Sequence, residues 1–262
     1  MAPRVALSIA GSDPSGGAGI QADLKTFHQF GVYGEAVIAL LTVQNTCRVS
    51  RVEILDPCLV EEQLRAVLED IPPDAVKTGA LGNAAVVRRV AQLAPLFRCP
   101  LVVDPVMISK HGAPLIAEEA RAALWTDLLP KAMLITPNLH EAAALAGLRV
   151  ESLTEMREAA RRLRDATGAA ILVKGGHLEG DAVDLLWDGE SFREFRAERI
   201  DTPHTHGTGC TYSAAITALL ALGAPLPEAV SRAKAYISEA IRTNPGLGSG
   251  CGPVNHHARP LQ

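Results

Sequence analysis

The chain has 262 residues, a formal net charge of −4 and 48% hydrophobic residues, enough to bury a substantial core in one large α/β domain spanning 1–262. With aromatics at only 4%, that charge leaves no electrostatic or stacking footprint for nucleic acid or an anionic membrane. No apolar run is long enough to span a bilayer, and Met1–Arg4 leads straight into a strand-like segment without the pattern of a signal peptide.

Val5–Ala10 reads as a buried strand that runs into the glycine-rich Gly11–Gly19. Ile20, Leu24, Phe27 and Phe30 follow at near-helical spacing, and Gly31 stops that helix. Further strand-like segments are Ala36–Val43, Ala75–Thr78, Leu101–Asp104, Met133–Thr136 and Ala170–Lys174. Helix-like segments between them are Val60–Asp70, Asn83–Ala94 and Ala117–Leu129, each ending before a proline. Ser152–Glu155 has the pattern of a capping box, and the helix it opens carries Met156, Ala160, Leu163 and Thr167 on one face before Gly168. Val183–Trp187 and Phe192–Ala197, joined around Asp188-Gly189, form a predicted hairpin. Two helices, Thr211–Leu222 and Pro227–Thr243, finish the chain. This alternation implies a mainly parallel sheet with helices on both faces and a ligand site beyond the carboxyl ends of its strands.

Polar and glycine-rich residues gather after those strands. His206-Gly207-Thr208-Gly209-Cys210-Thr211 opens a helix of small apolar residues, so free backbone N–H groups meet the positive end of a helix dipole. Glycines at 207 and 209 let an anion approach, and the same field is expected to favour the Cys210 thiolate. An isolated cysteine is otherwise a small core residue. The five cysteines are scattered with no C-x-x-C, which argues against a disulfide framework or zinc site and favours a reducing cytoplasmic setting. A P-loop, a full dinucleotide fingerprint, G-x-S-x-G and H-E-x-x-H are all missing from the sequence. Adjacent His256 and His257 read as a structural tail rather than a metal pair.

Several motifs, taken in order, resemble the hydroxymethylpyrimidine/phosphomethylpyrimidine kinases of thiamine biosynthesis, within the ribokinase-like superfamily. They are Ala10–Asp23, Val43-Gln44-Asn45-Thr46, Lys77-Thr78-Gly79, Asp104-Pro105-Val106-Met107, Pro137-Asn138-x-x-Glu141, Lys174-Gly175-Gly176-His177, the Gly207–Cys210 loop and Gly252–His256. The resemblance implies a ribokinase-like three-layer sandwich. It also implies transfer of the ATP γ-phosphate to a hydroxymethylpyrimidine and then to its monophosphate, with Mg²⁺. In that pattern Gly207, Thr208 and Gly209 hold the transferring phosphoryl group, and Cys210 takes the place of the aspartate base of related sugar kinases. Gln44, Asp23, Gly11, Ala18 and Val106 would meet the pyrimidine. The amide of Gln44 can both donate to and accept from an aminopyrimidine edge. Lys174, Lys110 and Thr208 would bind the nucleotide. Asp104 and Glu141 would hold Mg²⁺, which favours one or two carboxylates plus water and phosphate oxygens. Small-molecule substrates and a homo-oligomer complete the expectation.

Departures from the family pattern fall near the pyrimidine: Ala80 for methionine, Ala39 for threonine, and Cys47-Arg48 after Asn45-Thr46. Three other activities compete. A pyridoxal or pyridoxine kinase of the same superfamily would use the same cysteine. A cysteine-nucleophile hydrolase needs a histidine beside Cys210. A phosphate-binding protein without catalysis would have no use for Asp104 and Glu141.

Overall fold

The computed structural model describes residues 2–107, 117–176 and 180–260. Among the described residues nine strands form one sheet in the order β3-β2-β1-β4-β5-β6-β7-β8-β9. They are β1 Val5–Ser12, β2 Tyr33–Gln44, β3 Val49–Ile54, β4 Ala75–Thr78, β5 Leu101–Val103, β6 Leu134–Ile135, β7 Ala170–Gly175, β8 Ala182–Trp187 and β9 Phe192–Ala197. From β2 through β1, β4, β5 and β6 to β7 all pairings are parallel, while β3, β8 and β9 join as antiparallel hairpins. The chain leaves β1 for β2 on one side and later returns to β4 on the other. The carboxyl ends of β1 and β4 are thus a topological switch point, where doubly wound sheets open a ligand crevice.

The helices are α1 Gly19–Gln29, α2 Pro57–Asp70, α3 Ala84–Leu93, α4 Glu118–Ala123, α5 Leu139–Ala146, α6 Leu153–Thr167, α7 Thr208–Ala221 and α8 Leu226–Arg242. They divide between the two faces as the strand alternation dictates. Leu7, Ile9, Leu101, Val103, Ile171 and Val173 point into the core that α2 to α6 cover. Their neighbours Ala6, Val102, Ala170 and Leu172 point into the core under α1, α7 and α8. The central strands therefore read as unbroken apolar runs, and the molecule is the three-layer α/β sandwich expected of a ribokinase-like fold. Helix α7 is the inner one: every residue from Thr211 to Ala221 is buried. No helix among the described residues is long and apolar enough to cross a membrane.

Some elements depart from the sequence expectation. Asn45 Oδ1 accepts the N–H groups of Cys47 and Arg48 and turns the chain back as β3, a half-exposed edge strand. The segment expected as one helix over Ala117–Leu129 is α4 followed by a π turn, Leu124–Leu128, and a 3-10 turn at Leu129–Lys131. At α6 the Glu155 carboxylate reaches past the N-cap to the Glu151 N–H, at 2.7 Å, so the reciprocal box is not closed there. The complete box lies at α5: Glu141 N–H donates to Asn138 Oδ1 at 2.9 Å, and Asn138 N–H donates to Glu141 Oε2 at 2.8 Å.

Candidate active site

One cavity of about 1290 Å³ runs along the carboxyl ends of the strands, from Gln44 and Thr42 past Cys210 to Ile237 and Ile241. Single small-molecule sites enclose roughly 300–1,000 Å³, so this volume suits two ligands in line.

Gly11, Ala18, Gln44 and Val106 line one end, with Ala80 beside them. Asp23 does not line the cavity, and its expected contact with substrate is corrected. It is fully buried; Lys77 Nζ donates to both its oxygens, at 2.8 and 2.7 Å, and Ser8 Oγ donates at 2.6 Å. Asp23 lies three residues from Ile20 and four from Phe27, on the apolar side of α1, so the helix turns it inward. The pair carries no net charge, as a dry site demands. Lys77 and Asp13 do line this end, and neither was singled out from the sequence. Lys77 is the third residue of the fully buried strand β4, an expensive place for an unpaired charge. Asp13 sits in Asp13-Pro14-Ser15, where its carboxylate accepts from the N–H groups of Ser15 and Ala18, both at 2.9 Å.

Gly207, the N-cap of α7, has φ +79°, and a Cβ there would run into the Gly17 carbonyl oxygen, so only glycine fits. Thr208 spends its N–H and its hydroxyl on the Thr205 carbonyl. Helix geometry leaves the N–H groups of Gly209 and Cys210 without an intrahelical acceptor. A Cβ on Gly209 would stand 3.3 Å from Lys174 Nζ and 3.9 Å from Asp104 Oδ2. The missing side chain therefore leaves a hollow between a helix N-terminus, an ammonium and a carboxylate.

Cys210 is half-buried beside this hollow. Burial pushes its thiol up to about 11; the Lys77 ammonium and a hydrogen bond from Gly19 N–H pull it down, while Asp23 and Asp104 raise it further. This corrects the expectation of a lowered thiol. The helix dipole is outweighed by desolvation and two carboxylates, and the ligand-free protein holds Cys210 as a thiol.

Asp104 Oδ1 accepts from Lys174 Nζ at 2.8 Å and Thr136 Oγ1 at 3.0 Å, and Oδ2 accepts from Ser213 Oγ at 3.2 Å. Glu141 is pushed up from 4.5 to about 7, chiefly by burial; Lys174 opposes this, Asp104 adds to it, and the N–H groups of Asn138 and Met107 oppose it. Two buried carboxylates thus share one lysine, which leaves a surplus negative charge. Such a donor set fits a divalent cation that keeps most of its shell as water and phosphate oxygens. Among the described residues no cluster of three or more His, Cys, Asp or Glu side chains is arranged to hold a metal unaided. Lys110 lies outside the described residues, as does His177. His256 is a structural residue: its Nε2 is 3.1 Å from Thr211 Oγ1.

The raised Glu141 carboxyl affects stability. Its contribution is fully present below about pH 4.5 and is lost as pH rises through about 7. Glu141→Gln keeps an acceptor for Asn138 N–H and removes the charge. It is expected to raise the melting temperature of the ligand-free protein at pH 8 while lowering activity; thermal scans at pH 5 and 8 check the sign.

A mainly parallel sheet with helices on both faces, a glycine-opened inner helix and a lysine–carboxylate pair at one hollow define a kinase of the ribokinase-like class. The family profile described as phosphomethylpyrimidine kinase matches residues 13–255. The chain is 48% identical over 259 residues to the hydroxymethylpyrimidine/phosphomethylpyrimidine kinase of Synechococcus elongatus, covering 98% of each. It is 51% identical over 252 residues to the thiamine biosynthesis bifunctional protein ThiED of Geobacter sulfurreducens; that match takes in 95% of this chain and 51% of that longer protein. The solved pyridoxal kinase of Staphylococcus aureus in complex with ADP superposes with a TM-score of 0.92 at 38% identity, over 98% of this chain and 95% of that one. The chain belongs to the phosphomethylpyrimidine kinase family. Membership implies an ATP- and Mg²⁺-dependent kinase mechanism.

Proposed function

We propose that the protein acts as one kinase domain that transfers the γ-phosphate of ATP to the hydroxymethyl oxygen of 4-amino-5-hydroxymethyl-2-methylpyrimidine. It then phosphorylates the monophosphate to the pyrophosphate, in thiamine biosynthesis. The observation that carries this is the hollow at Gly209, bounded by Lys174 and Asp104, in the same cavity that Cys210 lines. The pyrimidine occupies the Gln44 end, flanked by Gly11, Ala18 and Val106. ATP enters from the Ile237 end, with its phosphates toward Lys174 and the N–H groups of Gly209 and Cys210.

Phosphoryl transfer is mostly positioning and charge stabilisation. The helix N–H groups and the Lys174 ammonium meet the charge that spreads over the equatorial oxygens. Cys210 Sγ, in its minor thiolate form, receives the proton from the attacking hydroxyl, and Lys77 stabilises the anion at that end. Bound Mg²⁺, held by Asp104 and Glu141, would neutralise phosphate charge. Gln44→Ala is expected to raise KM for the pyrimidine roughly tenfold while leaving KM for ATP unchanged, the pattern of lost ground-state binding. Steady-state kinetics in both substrates tests it, and an equal rise in both constants would overturn the placement of Gln44.

The likeness to the Staphylococcus aureus pyridoxal kinase, together with the small Ala80 in the same pocket, favours one second reading, phosphorylation of pyridoxal or pyridoxine. The higher identity to the pyrimidine kinases ranks it second. Turnover measured side by side is expected to favour the pyrimidine; equal or faster turnover of pyridoxine would reverse the order.

A further inference from the structure

His206 has no part in the phosphoryl transfer described above, yet it is held tightly at the substrate end. The residue is 3% exposed; its N–H donates to the Gly252 carbonyl at 3.0 Å, and its own carbonyl accepts from Val254 N–H at 3.3 Å. A Cβ on Gly17 would come within 2.5 Å of the ring Cδ2, so the ring packs where only a glycine leaves room. Its Nε2 is 2.7 Å from Asp13 Oδ2 and 3.2 Å from the side-chain amide nitrogen of Gln44.

A hydrogen count decides which way this chain of contacts runs. Asp13 Oδ1 accepts from Ser15 N–H at 2.9 Å and Ser15 Oγ at 2.7 Å, and Oδ2 accepts from Ala18 N–H at 2.9 Å. Burial opposes ionisation of Asp13, but the hydrogen bonds from His206 and Ser15 outweigh it and hold the carboxyl below its usual range. A carboxylate only accepts, so Nε2 of His206 carries a hydrogen and donates it to Asp13. A nitrogen that carries its hydrogen in the ring plane cannot also accept from an amide NH2. The two nitrogens at 3.2 Å are therefore a donor facing a donor, and the nearly isosteric ends of the Gln44 amide must be exchanged. Gln44 then turns its oxygen to His206, where it is the weaker acceptor of the single Nε2 hydrogen that Asp13 holds, and presents its NH2 to the other side.

We propose that His206, anchored by Asp13, is a positioning residue that fixes the rotation of the Gln44 amide and so selects a heteroaromatic with an amine beside a ring-nitrogen acceptor. The assignment rests on the placement of Gln44 against the pyrimidine. In the fixed rotation the amide NH2 donates to the ring nitrogen, and the second lone pair of the oxygen accepts from the exocyclic amine. The opposite rotation would suit a ring with a carbonyl beside an N–H.

The test compares kcat/KM for the 4-amino pyrimidine alcohol with that for its 4-oxo analogue, whose edge has the reversed pattern. The wild-type protein is expected to favour the amino compound by roughly 100-fold or more, the scale at which a site built to hydrogen-bond rejects a mismatched edge. His206→Leu is expected to shrink that ratio by roughly tenfold, because the amide is then free to rotate. His206→Gln, which restores a donor of similar reach, is expected to keep the ratio within about threefold of wild type. The ratio is independent of the fraction of protein that folds. Should the leucine variant not fold at all, His206→Asn, polar but too short for the contact, carries the same expectation. An unchanged ratio in His206→Leu or His206→Asn alongside a collapsed ratio in Gln44→Ala would overturn the role of His206 and leave the placement of Gln44 standing. An unchanged ratio in Gln44→Ala as well would overturn both.

Discussion

Cys210→Ala is expected to lower kcat roughly 10²-fold or more with little change in either KM, the scale for losing a general base. The role proposed for it is confined to proton transfer, so its loss is felt at the transition state. The accompanying pH dependence is sharper. With the thiol pushed up to about 11, only roughly one molecule in 10⁴ holds the thiolate at pH 7. Because kcat/KM reports on groups of the free enzyme, it is expected to climb about tenfold per pH unit between pH 7 and 9. Cys210→Asp introduces a carboxylate, whose ordinary range lies far below that of a thiol, and is expected to move that limb to lower pH. An alanine variant with unchanged kcat would reduce Cys210 to packing. A flat wild-type profile would remove it as the proton acceptor.

Lys77→Met is expected to destabilise the protein by about 3–5 kcal/mol, the cost of leaving one member of a buried ion pair alone. Lys77 and Asp23 are both 0% exposed, and without the ammonium Asp23 retains only the Ser8 hydroxyl among its side-chain donors. Burial already raises the Asp23 carboxyl, and the lysine is the main opposing influence. In a chain of this length the loss amounts to roughly 10 °C in melting temperature. Adding Asp23→Asn to the methionine variant is expected to recover much of that, because the second change removes the stranded charge. Urea unfolding of the two variants checks it; a single variant as stable as wild type would show that water reaches the pair. The double variant should still turn over slowly, because the cation beside Cys210 is gone.

The residues around the Gly209 hollow could be picked out of the sequence because their signals are local. Gly207 and Gly209 open a helix, Lys174 closes an apolar strand, and Asn138 and Glu141 are one helical turn apart. The substrate end was less legible. The resemblance puts Asp23 against the pyrimidine, whereas its position among Ile20 and Phe27 turns it inward to a lysine 54 residues away. His206 and Asp13 meet across 193 residues, and no spacing rule links them. The β3 hairpin was missed because a half-exposed edge strand lacks the apolar run that marked its neighbours. Its turn was announced only by Asn45. The Cys210 thiol was misjudged for a related reason: the helix dipole can be read from sequence, whereas the burial and the neighbouring carboxylates that outweigh it are products of the fold.

The burial of α7 from Thr211 to Ala221 bears on how one site serves two acceptors. An alcohol and then a phosphate monoester must each place an oxygen in line with the same donor phosphorus. The hollow at Gly209 stands on the first turn of a helix wedged between the sheet, α1 and α8, so shifting it means shearing a close-packed interior. On the placement proposed above, accommodation of the longer second acceptor falls to the ring, which is expected to slide back along the cavity toward the β2–β3 turn while the donor stays fixed. The reaction centre behaves as an anvil, and substrate length is absorbed at the far end.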